Sequence, residues 1–310
     1  MRSRFIFYSL ATALLLAVGW GFQPVETKHF FQDWVLWYEP LIGGSVCGLL
    51  AALLGVYMLL NRIVFISLAI SQGAGLGIFI SFFIAGLFGM SLAGSPMALV
   101  SGFVFASLTA LLFAATRRSV STTDESLIGL IYCAASGLIV FIGDRISEGR
   151  HDIENLLFGS AVAVTGSDLV LLVAATLVIV LLHLLFRREF LYVSADPAFM
   201  AIRGHKTKFW MVLLYFTLTL GITVSMRTIG SLPVFALMVV PPWIALNNSR
   251  STRESMILAI FLGAVIPPLG YYFSFLYSFP TGASMIVAAL AFVGISLLEK
   301  RATGTASLRR

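Results

Sequence analysis

Charge is what this chain has least of. Only 11% of its 310 residues are Asp, Glu, Lys or Arg, against a hydrophobic fraction of 59% and a mean hydropathy of +0.98. Soluble domains devote about a quarter of their residues to charge, so this composition excludes a water-soluble globular fold. Cysteine is scarce too. Cys47 and Cys133 both sit in apolar runs without CxxC or metal-finger spacing, which excludes a disulfide framework and a structural zinc site and reads them as small buried residues. There is no GxxxxGK[ST] phosphate loop, so ATP hydrolysis by that route is excluded. The apolar segments hold no Ser-His pair, no paired carboxylates and no HExxH, leaving little basis for an intramembrane enzyme.

What remains is a series of apolar runs. They extend from Phe5 to Phe22, Leu41 to Leu60, Val64 to Met90, Pro96 to Thr116, Leu127 to Gly143, Leu169 to Phe186, Phe209 to Met226, Ile229 to Leu246, Met256 to Leu276 and Ala283 to Leu298. A hydrocarbon core about 30 Å thick takes roughly 20 residues of helix to cross. The expectation is an all-α, polytopic transmembrane helical bundle of about ten spans, with eight as the lower bound. Arg2 and Arg4 before the first run could mark a signal peptide, but no small-x-small cleavage site follows Trp20, and an uncleaved helix is expected.

The net charge of +6 does not imply nucleic acid, because the basic residues lie in short clusters between spans. With the N-terminus inside, Asn61-Arg62, Arg117-Arg118, Arg187 to Lys208, Arg250 to Arg253 and the tail from Lys300 all fall inside, as the positive-inside rule requires. Two outer loops are expected, Gln23 to Pro40 and Asp144 to Gly166, both rich in acidic residues. Pro233, Pro241 and Pro242 are expected to interrupt one span and Pro267 and Pro268 another, either lining a pathway or kinking a packed helix.

The inner segment Arg187 to Lys208 carries its own helix signals. Asp196 can cap, Pro197 suits the first helical position and Gly204 the terminus. The short helix between them bears Phe199, Met200 and Ile202, which need cover either from this chain or from a partner's groove.

Several stretches together resemble the permease subunits of zinc, manganese and iron ABC importers over about Leu41 to Leu298. They are Arg62 to Ile66, Asp124 to Gly129, Leu156 to Ser160 with Ser167-Asp168-Leu169, Arg188 to Gly204, Val239 to Pro242 and Phe279 to Ala283. The resemblance divides the chain into an added N-terminal helix and outer loop (1–40), a permease domain (41–298) containing the coupling segment 187–208, and a basic inner tail (299–310). It implies a chain in the bacterial inner membrane with both termini cytoplasmic. Its implied partners are ABC ATPase subunits that use ATP and Mg, a second permease chain (identical or divergent), an extracytoplasmic substrate-binding protein and membrane lipids; nucleic acid is not among them, and no cofactor is bound by this chain. The implied coupling residues are Asp196, Pro197, Phe199, Met200, Ile202, Arg203 and Gly204, with Asp196 as cap, the apolar three in the ATPase groove and Arg203 facing acidic residues there.

At one place the chain departs from that pattern. Where family members carry an Asp and a His one turn apart, this chain has Leu68 and Gln72, flanked by Ser67 and Ser71. Leucine cannot ligate a metal and a glutamine amide is a weak, neutral ligand. Three readings stay open: a pathway built from Ser67, Leu68, Ser71, Gln72 and backbone carbonyls, a divergent half of a heterodimer, and a non-transporting structural or regulatory subunit. His183 near a helix end reads as structural; His151, Asp152 and Glu154 in the outer loop are the remaining metal candidates.

Overall fold

The computed structural model describes residues 2–88, 96–116, 124–145, 164 and 166–302. Among these it contains thirteen helices: α1 (Arg2–Phe22), α2 (Pro24–Gln32), α3 (Trp34–Leu60), α4 (Ile66–Leu87), α5 (Pro96–Thr116), α6 (Asp124–Gly143), α7 (Gly166–Leu185), α8 (Arg187–Ala195), α9 (Pro197–Ile202), α10 (Thr207–Ile229), α11 (Ser231–Asn248), α12 (Thr252–Tyr277) and α13 (Thr281–Ala302). Ten of them are long and apolar enough to cross a membrane. All backbone hydrogen bonds of such a span are made within the helix, which is why composition of this kind folds as a bundle.

The expected outer loop Gln23 to Pro40 is instead helical. Its first part is α2, started by Pro24 and tucked onto α12 by buried Phe30, whose ring meets Tyr272 and Phe275 at 5.3 Å each. Its second part belongs to α3, which begins at Trp34 and runs through Pro40. Pro40 falls in the second turn of α3, near its start, where it frees only the Leu36 carbonyl.

Helix α3 is the axis of the bundle, packed against α12, α11, α10 and α7. Its glycines decide how close the neighbours come. The expected interruptions at the proline pairs do not occur, since α11 passes through Pro241 and Pro242 and α12 through Pro267 and Pro268 without a break. A helical proline leaves the carbonyl four residues earlier without its N–H partner. For Pro267 that carbonyl is Gly263, and it lies against Gly48 of α3, where a Cβ would overlap it; for Pro242 it is Met238, which lies in the same way against Gly55. Gly48 and Gly55 are seven residues apart and so share a face of α3. The freed carbonyls thus rest on glycine Cα–H groups, a close approach that small residues allow between membrane helices. The prolines are packing devices, and the helices stay whole.

Both ends of α1 are fastened. At the basic end, Tyr8, fully buried, donates to Glu299 (3.0 Å) and accepts from Asn248 Nδ2 (3.1 Å), and Asn248 also donates to Ser296 (2.6 Å). Arg4 lies 3.8 Å from Glu254 and 4.0 Å from Glu299. Toward the opposite end, the Tyr272 hydroxyl meets the Thr27 hydroxyl of α2 at 3.0 Å and lies 3.4 Å from the Leu16 carbonyl of α1. The starts of α1 and α12 and the ends of α11 and α13 therefore share one end of the bundle. There, too, the end of α3 meets α8. At the other end Arg227, in the last turn of α10, pairs with Asp168 in the first turn of α7 at 3.1 Å.

Candidate coupling surface and pathway

The coupling segment is two short helices joined at Asp196. Helix α8 lies on the bundle with Phe190, Val193 and Ser194 buried beneath it, against α3, α7 and α10. Asp196 leaves the helical conformation (φ −149°) and accepts from the Phe199 N–H at 2.9 Å, the capping bond that starts α9. Pro197 occupies the first helical position. Gly204 ends the element with φ +76°, in the left-handed region that glycine enters without a Cβ penalty. Its N–H donates to Ala201 (3.0 Å) and that of His205 to Met200 (3.3 Å), tying off the helix carbonyls.

The three apolar residues of α9 divide between the two expected kinds of cover. Met200 is 1% exposed and packs on this chain, so it anchors the helix and is not free to fill a partner's groove. Phe199 and Ile202 are 42% and 86% exposed. Alongside them stands Tyr192 of α8, whose ring lies 6.0 Å from Phe199, while the Arg203 guanidinium stands over the Phe199 ring at 5.0 Å. The surface offered to water is therefore aromatic and aliphatic with one cation at its edge. Sequence reading missed Tyr192, although its place one turn before Asp196 on an amphipathic helix was a usable signal.

Removal of the cap tests this construction. Asp196→Ala is expected to cost about 1 kcal/mol of local helix stability, while Asp196→Asn keeps most of it. Amide exchange at Phe199 should speed up in the first variant and change little in the second.

The pathway candidates lie on the first two turns of α4. Ser67, Ser71 and Gln72 are buried and Leu68 is half-buried. Both hydroxyls turn back onto the preceding backbone, Ser67 donating to Val64 just before α4 (3.3 Å) and Ser71 to Leu68 (2.9 Å). Among the described residues no hydrogen-bond partner meets the Gln72 amide, which leaves it the one unspent polar group of the four. No three His, Cys, Asp or Glu side chains come together as a metal site among the described residues. His151, Asp152 and Glu154 lie outside the described residues. His183 is buried near the basic end of α7 and donates or accepts at Thr217 (3.1 Å).

Comparison with known proteins bears on the same architecture. The family model described as the ABC 3 transport family matches residues 36–299. The manganese transport system membrane protein MntC of Listeria monocytogenes is 27% identical over 264 residues, which cover 84% of this chain and 89% of that protein. The manganese import system permease protein ScaB of Streptococcus gordonii is 23% identical over 274 residues, covering 87% and 92%. In three dimensions the chain is similar to a chain of PsaBC from Streptococcus pneumoniae, solved in complex with Fab, with a TM-score of 0.74 at 23% identity over 86% of this chain and 93% of that one. The fold described above is thus one already seen in a solved structure.

Proposed function

The chain belongs to the ABC 3 transport family, and from that premise we propose that it is the membrane-spanning permease subunit of an importer for a divalent transition metal, manganese first, driven by a separate ATPase. The observation that carries the mechanism is the capped helix α9, which holds Phe199 and Ile202 in water on a bed of buried Met200, Phe190 and Val193. An exposed apolar helix on a rigid support suits a hydrophobic groove on a cytoplasmic subunit. The ATPase binds ATP and Mg; closure of an ATPase pair on ATP pushes α9, and α8 passes that push to α3, α7 and α10. Two permease chains, identical or divergent, flank the pathway, and an extracytoplasmic binding protein delivers the cargo.

The placement of charge supports an inner-membrane orientation with the α9 end in the cytoplasm. Arg4, Arg62, Arg187, Lys206, Arg250 and Lys300 gather there, whereas the far end carries fewer cations, Lys28, Arg145 and Arg227, the last paired with Asp168.

Leu68 and Gln72 shape the reading of the cargo. A bare dication entering a low-dielectric site needs oxygen or nitrogen ligands to replace its water. Leu68 supplies none and Gln72 one neutral oxygen. The cation's charged ligands then come from a second, divergent permease chain, or the metal crosses as a complex. Mild-detergent purification from native membranes tests both levels: recovery of an ABC ATPase supports the permease reading, and a second permease carrying an Asp and a His one turn apart supports the mixed pair. An intact preparation with no ATPase overturns the proposal.

Restoring the ligands makes a further prediction. Leu68→Asp together with Gln72→His is expected to raise manganese(II) or zinc(II) binding at least tenfold over the unaltered chain, read by isothermal titration in detergent. Absence of any gain means that the walls around α4 no longer leave room for an ion.

A further inference from the structure

Four elements meet at one buried imidazole. His183 of α7 stacks on the Phe190 ring of α8 with centroids 4.3 Å apart and planes 15° from parallel. Its other neighbour is the Tyr57 ring of α3 at 4.7 Å, and its Nε2 lies 3.1 Å from the Thr217 hydroxyl of α10. All four side chains are 2% exposed or less.

The hydrogen bonding fixes the tautomer. The Thr217 hydroxyl has one proton and gives it to the Leu214 carbonyl at 2.8 Å. Its oxygen must then accept from His183, so Nε2 carries the hydrogen and Nδ1 presents a lone pair. Among the described residues that lone pair has no partner. Ser194 Oγ, one turn beyond Phe190 on α8, and Asn61 Nδ2, just past the end of α3, are also buried without a partner among the described residues.

We propose that His183 is a positioning residue for coupling: through Phe190, Tyr57 and Thr217 it makes α3 and α10 follow α8 when the docking helix is displaced. This rests on the assignment of α9 as the ATPase contact. The rings suit such a role, since flat, buried, close-packed groups cannot absorb a shift by changing rotamer.

Hydrogen exchange read by mass spectrometry on the purified permease–ATPase complex, with and without MgATP, tests it. In the unaltered complex, MgATP is expected to change exchange in α8–α9 and in α3 and α10. His183→Phe keeps the stack and loses the hydrogen-bond donor; Thr217→Val loses the acceptor at equal size, and Thr217→Ser keeps it. Both His183→Phe and Thr217→Val should retain the α8–α9 response while the α3 and α10 response falls at least fivefold, and Thr217→Ser should restore it. If His183→Phe fails to fold, the two Thr217 variants decide alone. A full α3 and α10 response in Thr217→Val, or none in the unaltered complex, overturns the assignment. Failure of the unaltered chain to bring down any ATPase overturns the docking reading first and this one with it, so the two failures are told apart.

Discussion

Gly48→Leu and Gly55→Leu are each expected to abolish recovery of a folded chain. A side chain at either position would enter the space of a backbone carbonyl, Gly263 for Gly48 and Met238 for Gly55. A flexible side chain could turn away, but a backbone oxygen moves only with its helix. Even the methyl group of Gly48→Ala or Gly55→Ala separates α3 from α12 or α11, at a cost of about 1–3 kcal/mol for overpacking. Separation also uncovers the carbonyls that Pro267 and Pro242 leave without helical partners, and in hydrocarbon no water replaces the glycine contact. Gly137 and Gly294, with open space where a Cβ would stand, serve as controls. Alanine there removes the helix penalty of glycine, roughly 1 kcal/mol, and should leave the chain as stable or more so. Size-exclusion profiles of fluorescent fusions, before and after a heat ramp, separate the two groups. A Gly55→Leu chain that remains monodisperse shows that α11 can shift without loss, which would contradict the close contact.

Phe199→Asp is expected to release the ATPase and to lower metal uptake at least tenfold while the permease stays folded. Interface anchors of this kind cost about 2 kcal/mol or more when truncated, and a desolvated carboxylate adds to the loss. Ile202→Asp should act likewise, being more exposed still. Met200→Asp is the contrast, since it places a charge in the bed of the helix and is expected to lower the melting temperature. Copurified ATPase and the permease melting curve, measured on the same preparations, distinguish the surface from its support. Normal ATPase recovery with Phe199→Asp and Ile202→Asp together would remove α9 from the interface.

Hydropathy carried most of the fold, because in a bilayer apolar length and span are nearly the same quantity. The ten runs correspond to ten helices, with ends displaced by a few residues where polar caps extend them, as at Thr252, where Ser251 accepts from Glu254. The segment from Gln23 to Pro40 was misread because its charges and prolines look like a loop to any window that scores apolarity, while Phe30 is held by rings from α12, distant in sequence. Proline effects were misjudged for a related reason. Whether a freed carbonyl opens a helix depends on what faces it, and Gly48 and Gly55 are far along the chain from Pro267 and Pro242. In the coupling segment the cap and terminus were readable, since those signals are local. Which of Phe199, Met200 and Ile202 faces inward was not, because six residues of helix give no reliable period. His183 looked like an ordinary helix-end histidine; its importance comes from three neighbours on three other elements.

The fastening of α1 sets an order of events during synthesis. Tyr8 bonds to residues 240 and 291 positions later, and Thr27 to one 245 positions later. The ribosome adds residues at about 5–20 per second, so α1 waits in the bilayer for something over ten seconds before its partners exist. Throughout that wait Arg4 has neither Glu254 nor Glu299, and Tyr8 must hydrogen-bond to water or lipid. Contacts begun by α1 are completed only when α11, α12 and α13 follow, so a chain stalled before α12 carries an unclaimed helix that quality-control proteases or other spans can seize.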